Sequence, residues 1–177
     1  MSDANNAPKG AAELTVQANA LASETMSFDD NADFERAQRG LIATLPGGTV
    51  TVDDHTVWDC ARYDFLRENH EAPDTVHPGL WRQGRLNAIH GLFEVMDGVW
   101  QVRGYDISNL TLIAGNSGWI LVDVLTTAAT AEACLKLANE QLGERPVKAV
   151  IYTHSHADHF GGILGVTTPE EVENGDV

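Results

Sequence analysis

The run VKAVIYT, residues 147–153, restricts the possible folds more than any other stretch of this 177-residue chain. It is apolar and β-branched, follows Arg145-Pro146, and leads directly into the loop HSHADHFGG. A run of this length and composition predicts a central strand buried on both faces. Open α/β sheets place ligands at the carboxyl ends of such strands. The loop supplies the chemistry for one. His154, His156, Asp158 and His159 put three imidazoles and a carboxylate into six residues. In an extended loop, residues two apart point the same way, so His154 and His156 can grip one ion together. Asp158 and His159, at the start of a following turn, can face a second position. This donor set suits zinc, with iron or manganese as alternatives. Two neighbouring ions would hold a hydroxide and polarise a bound oxyanion. Gly161 and Gly162 let the backbone turn close beside them. A chance cluster of histidines is the competing explanation, and its position at the end of a buried strand argues against it.

The elements upstream fit the same architecture. LFEV, Asp97-Gly98 and VWQVR read as a hairpin, because Asp-Gly supplies the positive φ of a tight turn. LTLIA, the turn 115–118 and WILVD read as a second hairpin. Thr126 or Thr127 caps a helix with Ala131, Leu135, Ala138 and Leu142 on one face, stopped by Gly143. Earlier, Phe34, Ala37, Leu41 and Leu45 have helical spacing, ended by Pro46-Gly47-Gly48. TVTVDDHTVW reads as a hairpin turning at Asp53-Asp54, and Asp59 caps a short helix. Residues 71–88 read as an ordered connection with a short helical turn. The division is a mobile polar leader over 1–27, an N-terminal segment over 28–90 and an α/β unit over 91–177.

Charge and cysteine usage narrow the function classes. A net charge of −15 would repel nucleic-acid phosphates, so a nucleic-acid partner is not expected. Two cysteines, Cys60 and Cys134, give no disulfide framework and point to buried thiols in a reducing compartment. No apolar run is long enough for a membrane span, and the N-terminus has no basic region followed by an apolar run. A cytoplasmic location is expected, or a periplasmic one if the true start lies upstream.

THSHADHFGG matches the H-x-H-x-D-H signature of the metallo-β-lactamase superfamily. The blocks VWD, YDFL, APDTVHPGLWRQGRLN, GLFEVMDGVWQVRGYDISNLT, GWILVD and GERPVKAVIYTHSHADHFGG together resemble the zinc-dependent alkyl sulfatases, enzymes that hydrolyse sulfate esters of fatty alcohols such as dodecyl sulfate. The resemblance runs from about Phe28 to the last residues. It implies the first half of an αββα sandwich, preceded by a helical and extended segment. It also implies two Zn2+ per complete site, His154 and His156 on the first and Asp158 and His159 on the second. An alkyl sulfate is the implied small-molecule substrate, and the full-length enzyme is implied to be a homodimer.

The family pattern further needs two glutamates, a histidine and a basic sulfate pocket, all at positions downstream of Val177. Glu170, Glu171, Glu173 and Asp176 are read as a solvated helix start and not as ligands. Asp123, which closes WILVD, is implied to brace the metal loop by hydrogen bonding to a ligand; a turn or capping aspartate is the alternative. The family usually has proline after this aspartate, where Val124 stands in this chain. His55, His70, His77 and His90 lack ligand spacing and suit surface or capping roles. Trp58, Trp81, Trp100 and Trp119 suit core packing, or in part the lining of an alkyl entrance. Arg103 and Asn109 are weak substrate candidates. Three other functions compete: a thioesterase or lactonase of the same superfamily, which shares the metal motif but not the upstream block; a non-catalytic truncated fragment; and a nucleic-acid-processing nuclease of the same fold, which the acidic balance and the missing basic patch disfavour.

Overall fold

A six-stranded sheet carries the site in the computed structural model, which describes residues 9–177. Its strands are β1 (Leu41–Ala43), β4 (Gly91–Met96), β5 (Val99–Arg103), β6 (Leu110–Ala114), β7 (Trp119–Val122) and β8 (Val147–Ile151), in that spatial order. Pairing is antiparallel from β1 to β7 and parallel between β7 and β8. The parallel step needs a crossover, which helix α5 (Ala128–Leu142) provides. Strands β2 (Thr49–Val52) and β3 (His55–Asp59) form a separate hairpin.

Both hairpins expected in the α/β unit form. Gly98 takes a φ of 76° in the β4–β5 turn. Alternation then sorts the residues. Leu92 pairs Val102, Val102 pairs Leu110, and Leu112 pairs Leu121, which pairs Val150. All but Val150 are fully or almost fully buried. They join Ala131, Cys134, Leu137 and Ala138 of α5 in one core, with Leu135 and Leu142 packed at its margin. Burying each such leucine contributes about 1.5–3 kcal/mol before the entropy cost. The opposite face, with Gln101, Arg103, Thr111, Ile113, Ile120 and Val122, is half-buried. Thr127, not Thr126, caps α5, its side chain accepting the Thr130 N–H, and Gly143 ends the helix at φ 95°. Trp119 donates its indole N–H to Asn139 Oδ1 at 2.7 Å and meets Trp100 edge-on. Trp81 is buried and Trp58 packs against the core, so the packing role holds for all four tryptophans.

Three expectations need correction. VKAVIYT forms β8, but at the sheet edge among the described residues, and only Val147 is buried. Its apolar content had suggested a centre position. The helix expected through Leu45 stops early. Helix α2 (Ala32–Gln38) ends before Gly40 (φ 78°), and Leu41 enters β1. A Cβ at residue 40 would lie 2.2 Å from the Glu94 carbonyl oxygen, so the chain reverses there to pair with β4. The short helical turn expected within residues 71–88 is the ten-residue helix α4 (Pro78–Asn87), capped by His77 Nδ1.

Composition marks residues 1–27 as a mobile leader. The first eight lie outside the described residues. Within the remainder, helix α1 (Glu13–Thr25) has no buried residue. Asn19 nevertheless donates to the Asp74 carbonyl at 2.8 Å. Asp59 caps a 3-10 turn that runs into α3 (Asp64–Glu68), as expected. The 28–90 segment is tied together by Arg82 of α4, which pairs with Asp33 of α2 at 2.5 Å. Cys60 and Cys134 are free and buried.

Candidate metal centre

His154 and His156 lie on the loop just past the end of β8, and Asp158 and His159 lie in the short helix α6 (Ala157–Phe160) that follows it. His154 and His156 are exposed; Asp158 and His159 are half-buried. His154 Nε2 and His156 Nδ1 are 3.1 Å apart. His159 Nε2 and Asp158 Oδ2 are 3.3 Å apart. The rings of His154 and His159 have centroids 4.0 Å apart, which draws the two pairs together. Two donors on one tetrahedral ion with bonds of about 2.0–2.2 Å would be about 3.3–3.6 Å apart. The donor chemistry of both pairs suits zinc, and the His159–Asp158 spacing falls in this range, while His154 and His156 sit slightly closer, at hydrogen-bond distance. No group of three or more His, Cys, Asp or Glu side chains among the described residues is arranged to hold one ion. The site consists of two converging pairs, each needing further donors.

Asp123 organises this loop. It follows β7 directly, is buried and takes a φ of 57°. Its Oδ1 accepts the Thr153 N–H at 2.8 Å, and its Oδ2 accepts the Thr153 hydroxyl at 2.8 Å. Nδ1 of His159 lies 2.7 Å from the same Oδ2. A carboxylate only accepts, so His159 Nδ1 carries the proton, and in the neutral ring the Nε2 lone pair faces Asp158. Burial works to raise the Asp123 pKa, but the Thr153 N–H, with help from His159 and the Thr153 hydroxyl, holds it below the ordinary carboxylate value. The same hydrogen bond to Asp123 raises His159.

The backbone completes the anchoring. Val124 N–H donates to the His159 carbonyl at 2.9 Å, and Gly162 N–H to the Leu125 carbonyl at 2.9 Å. Proline at position 124 would lack that donor, so valine ties the loop through a bond that the usual residue cannot make. A Cβ on Gly162 would lie 2.0 Å from the Val124 carbonyl oxygen, and one on Gly161 2.4 Å from that of Thr126. Both glycines therefore let the loop pack onto the backbone of residues 124–127, a different close approach from the turn beside the ions that the sequence suggests.

Two supporting residues carry no sequence signal. Asp106, buried in the β5–β6 loop, accepts from the Ile107 and Thr126 N–H groups and from the Thr126 and Thr130 hydroxyls, at 2.5–3.1 Å. Two positions on, Ser108 donates its hydroxyl to the Asp158 carbonyl. The β5–β6 loop is thus fastened to the start of α5 and to the metal loop at once. The acids after Gly162 behave as read. Thr168 and Glu171 form a capping box on α7 (Pro169–Glu173). His77 caps α4, and half-buried His90 lies 3.0 Å from the Ala88 carbonyl and edge-on to Tyr105.

The family model described as the metallo-β-lactamase superfamily matches residues 103–171. An (R)-specific secondary-alkylsulfatase from a Pseudomonas species is 46% identical over 169 residues, covering 96% of this chain and 25% of that protein. A linear primary-alkylsulfatase, also from Pseudomonas, is 44% identical with the same coverage. An alkyl/aryl-sulfatase of Saccharomyces cerevisiae is 45% identical, covering 92% of this chain and 25% of that protein. The solved structure of a stereoselective inverting sec-alkylsulfatase from Pseudomonas superposes with a TM-score of 0.89 at 46% identity, covering 96% of this chain and 26% of that one. This chain accordingly spans about a quarter of the length of the relatives it matches, 25% of each of the three curated proteins. Its fold is metallo-β-lactamase-like and coincides with that part of the alkylsulfatase structure.

Proposed function

We propose that this chain is the metal-motif portion of an alkylsulfatase, a sulfuric ester hydrolase of the metallo-β-lactamase superfamily. The observation that carries this reading is the extent of the likeness: 44–46% identity to three alkylsulfatases over 92–96% of the chain. It therefore includes the block before β4, outside the superfamily match over residues 103–171. A thioesterase or lactonase would share the histidines but has no claim on that block.

In this reading His154 and His156 would hold one zinc, and Asp158 and His159 the other, with further donors completing both shells. Zinc supplies a water whose pKa is brought near neutrality and a positive charge beside the sulfate oxygens. The chain's own residues set up that chemistry. Asp123 takes the proton-bearing Nδ1 of His159 and leaves Nε2 as the donor. Thr153 fixes Asp123 in turn. Ser108 holds the backbone at Asp158. A fatty-alcohol sulfate of the dodecyl sulfate type is the substrate, and full-length subunits pair as homodimers. The cysteine usage supports a cytoplasmic location. No helix among the described residues is long and apolar enough to cross a membrane.

Sulfate release from dodecyl sulfate by the full-length, zinc-loaded protein is the direct test. Substitution His156→Ala should abolish it. Turnover of a thioester or lactone without sulfate release would replace this reading with the hydrolase alternative. No turnover of any of these esters by zinc-loaded protein would leave the non-catalytic one.

A further inference from the structure

A cleft of about 560 Å³ opens between α2, the end of α4 and the β5–β6 loop, and its lining includes none of the four candidate metal ligands. Its size is that of a small-molecule site. Its lining is divided. Leu86, Ile89 and Ile107 supply apolar surface, while Arg36, Arg103 and Asn109 supply hydrogen-bond donors.

Arg103 is the unusual member. It is half-buried, and its guanidinium lies 4.6 Å from the centre of the Phe93 ring. Its Nε donates to Gln101 Oε1 at 2.7 Å, and Gln101 is held by Thr111 at 3.0 Å. Among the described residues, neither Arg103 nor Arg36 has a carboxylate within 4.0 Å. Arg103 is braced by Gln101 and the Phe93 ring without a carboxylate partner, which leaves its terminal N–H groups for another acceptor. The two acids lining the cleft are engaged elsewhere. Asp33 pairs with Arg82, and Asp106 is saturated by four donors. In a chain of net charge −15, the cleft has two arginines against two aspartates, and with Asp33 neutralised by Arg82 the arginine N–H groups can take an anion. Ile107, 76% exposed, is held at its rim because its N–H is fixed to Asp106 at 2.7 Å.

We infer that this cleft binds an amphiphilic organic anion, with Arg103 and Arg36 on the oxyanion and Leu86, Ile89 and Ile107 along an alkyl chain. That the oxyanion is a sulfate rests on the alkylsulfatase reading. The pairing of an anion with an apolar tail does not. The site would hold a substrate molecule beside the metal loop without using the metal ligands, so it is separable from the centre.

Calorimetric titration of the full-length protein, stripped of metal by a chelator, tests this. The probes are decyl sulfonate, which has no ester to hydrolyse, inorganic sulfate and decanol, all below micelle-forming concentrations. Decyl sulfonate should bind, inorganic sulfate should bind more weakly and compete, and decanol should not bind. Arg103→Gln and Arg36→Gln should each weaken decyl sulfonate about tenfold or more, the loss of a charge-assisted hydrogen bond. Arg36 is exposed on α2, so its variant keeps the test open if Arg103→Gln fails to fold. Unchanged decyl sulfonate binding by folded variants, or decanol binding as tightly, overturns the site. Inorganic sulfate binding as tightly as decyl sulfonate removes the alkyl chain and overturns the amphiphile. Arginine-dependent binding in a protein without sulfatase activity would sink the proposed function and leave this site standing.

Discussion

Nδ1 of His159 lies 2.7 Å from Oδ2 of Asp123, a residue 36 positions earlier at the end of a neighbouring strand. Through this contact the sheet, and not the loop itself, determines which nitrogen of His159 is free. Asp123→Asn keeps the shape and tolerates the positive φ. It presents an amide with one acceptor oxygen in place of a carboxylate with two. Zinc affinity of the full-length protein, measured by competition with a chromogenic chelator, should fall about 10–100-fold, the usual effect of losing such a partner. Unchanged affinity would reduce Asp123 to a turn residue.

Asp106 is expected to matter more for stability. Its carboxylate accepts from two backbone N–H groups and two threonine hydroxyls in a buried position. Asp106→Ala would leave several of those donors unpaired. Urea unfolding should show a loss of about 3 kcal/mol. Thr130→Val removes one donor along with its partner contact and should cost less, about 1 kcal/mol. Equal costs for the two would mean that the network does not act through Asp106.

These two aspartates differ in how visible they are in the sequence. Asp123 closes an apolar run that reads as a strand, so its location beside the metal loop follows from the strand order. Asp106 sits in a loop whose partners are 20 and 24 residues away on a helix start. No local pattern encodes that meeting. The same contrast runs through the fold. Asp97-Gly98, a threonine cap at 126 or 127 and the apolar face of α5 are local signals, and each is legible. The switch from α2 to β1 at Gly40 depends on Glu94, half a domain away in sequence, and helical spacing through Leu41 and Leu45 masked it. The edge position of β8 is likewise a property of its neighbours, not of its composition. At the candidate metal centre the closeness of His154 to His156 and of Asp158 to His159 follows from their spacing. The brace by Ser108 on the Asp158 carbonyl depends on loop packing alone.

Gly162 offers a steric test of the loop's approach to the sheet. Its φ is ordinary at −82°, so alanine meets no backbone strain there. The added Cβ would still lie 2.0 Å from the Val124 carbonyl oxygen and 2.9 Å from the Ala131 side chain. Gly162→Ala should therefore destabilise by about 3 kcal/mol and displace the metal loop, with zinc affinity falling alongside stability. Gly175→Ala, open around its Cβ but at a φ of 75°, should cost only about 1 kcal/mol, from backbone strain. Similar melting temperatures for Gly162→Ala and the parent protein would show that the contact is not tight.

The final prediction concerns alkaline pH. Tyr105, fully buried, accepts the Leu45 N–H on its hydroxyl at 2.7 Å. Burial pushes its pKa up to about 12, against a smaller opposing effect of the Leu45 hydrogen bond. The folded protein therefore favours the neutral phenol. That contribution is complete below the ordinary tyrosine value near 10 and is lost as pH rises through about 12. Tyr105→Phe removes the titrating group and leaves the Leu45 N–H without its acceptor, at a cost of about 1 kcal/mol near neutrality. Urea midpoints of the two proteins between pH 8 and 12 would separate the effects, taking about pH 10 as the onset. The parent should begin above Tyr105→Phe and lose its advantage as pH passes 10. A constant difference across that window would mean that the Tyr105 pKa is the same in the folded and unfolded states.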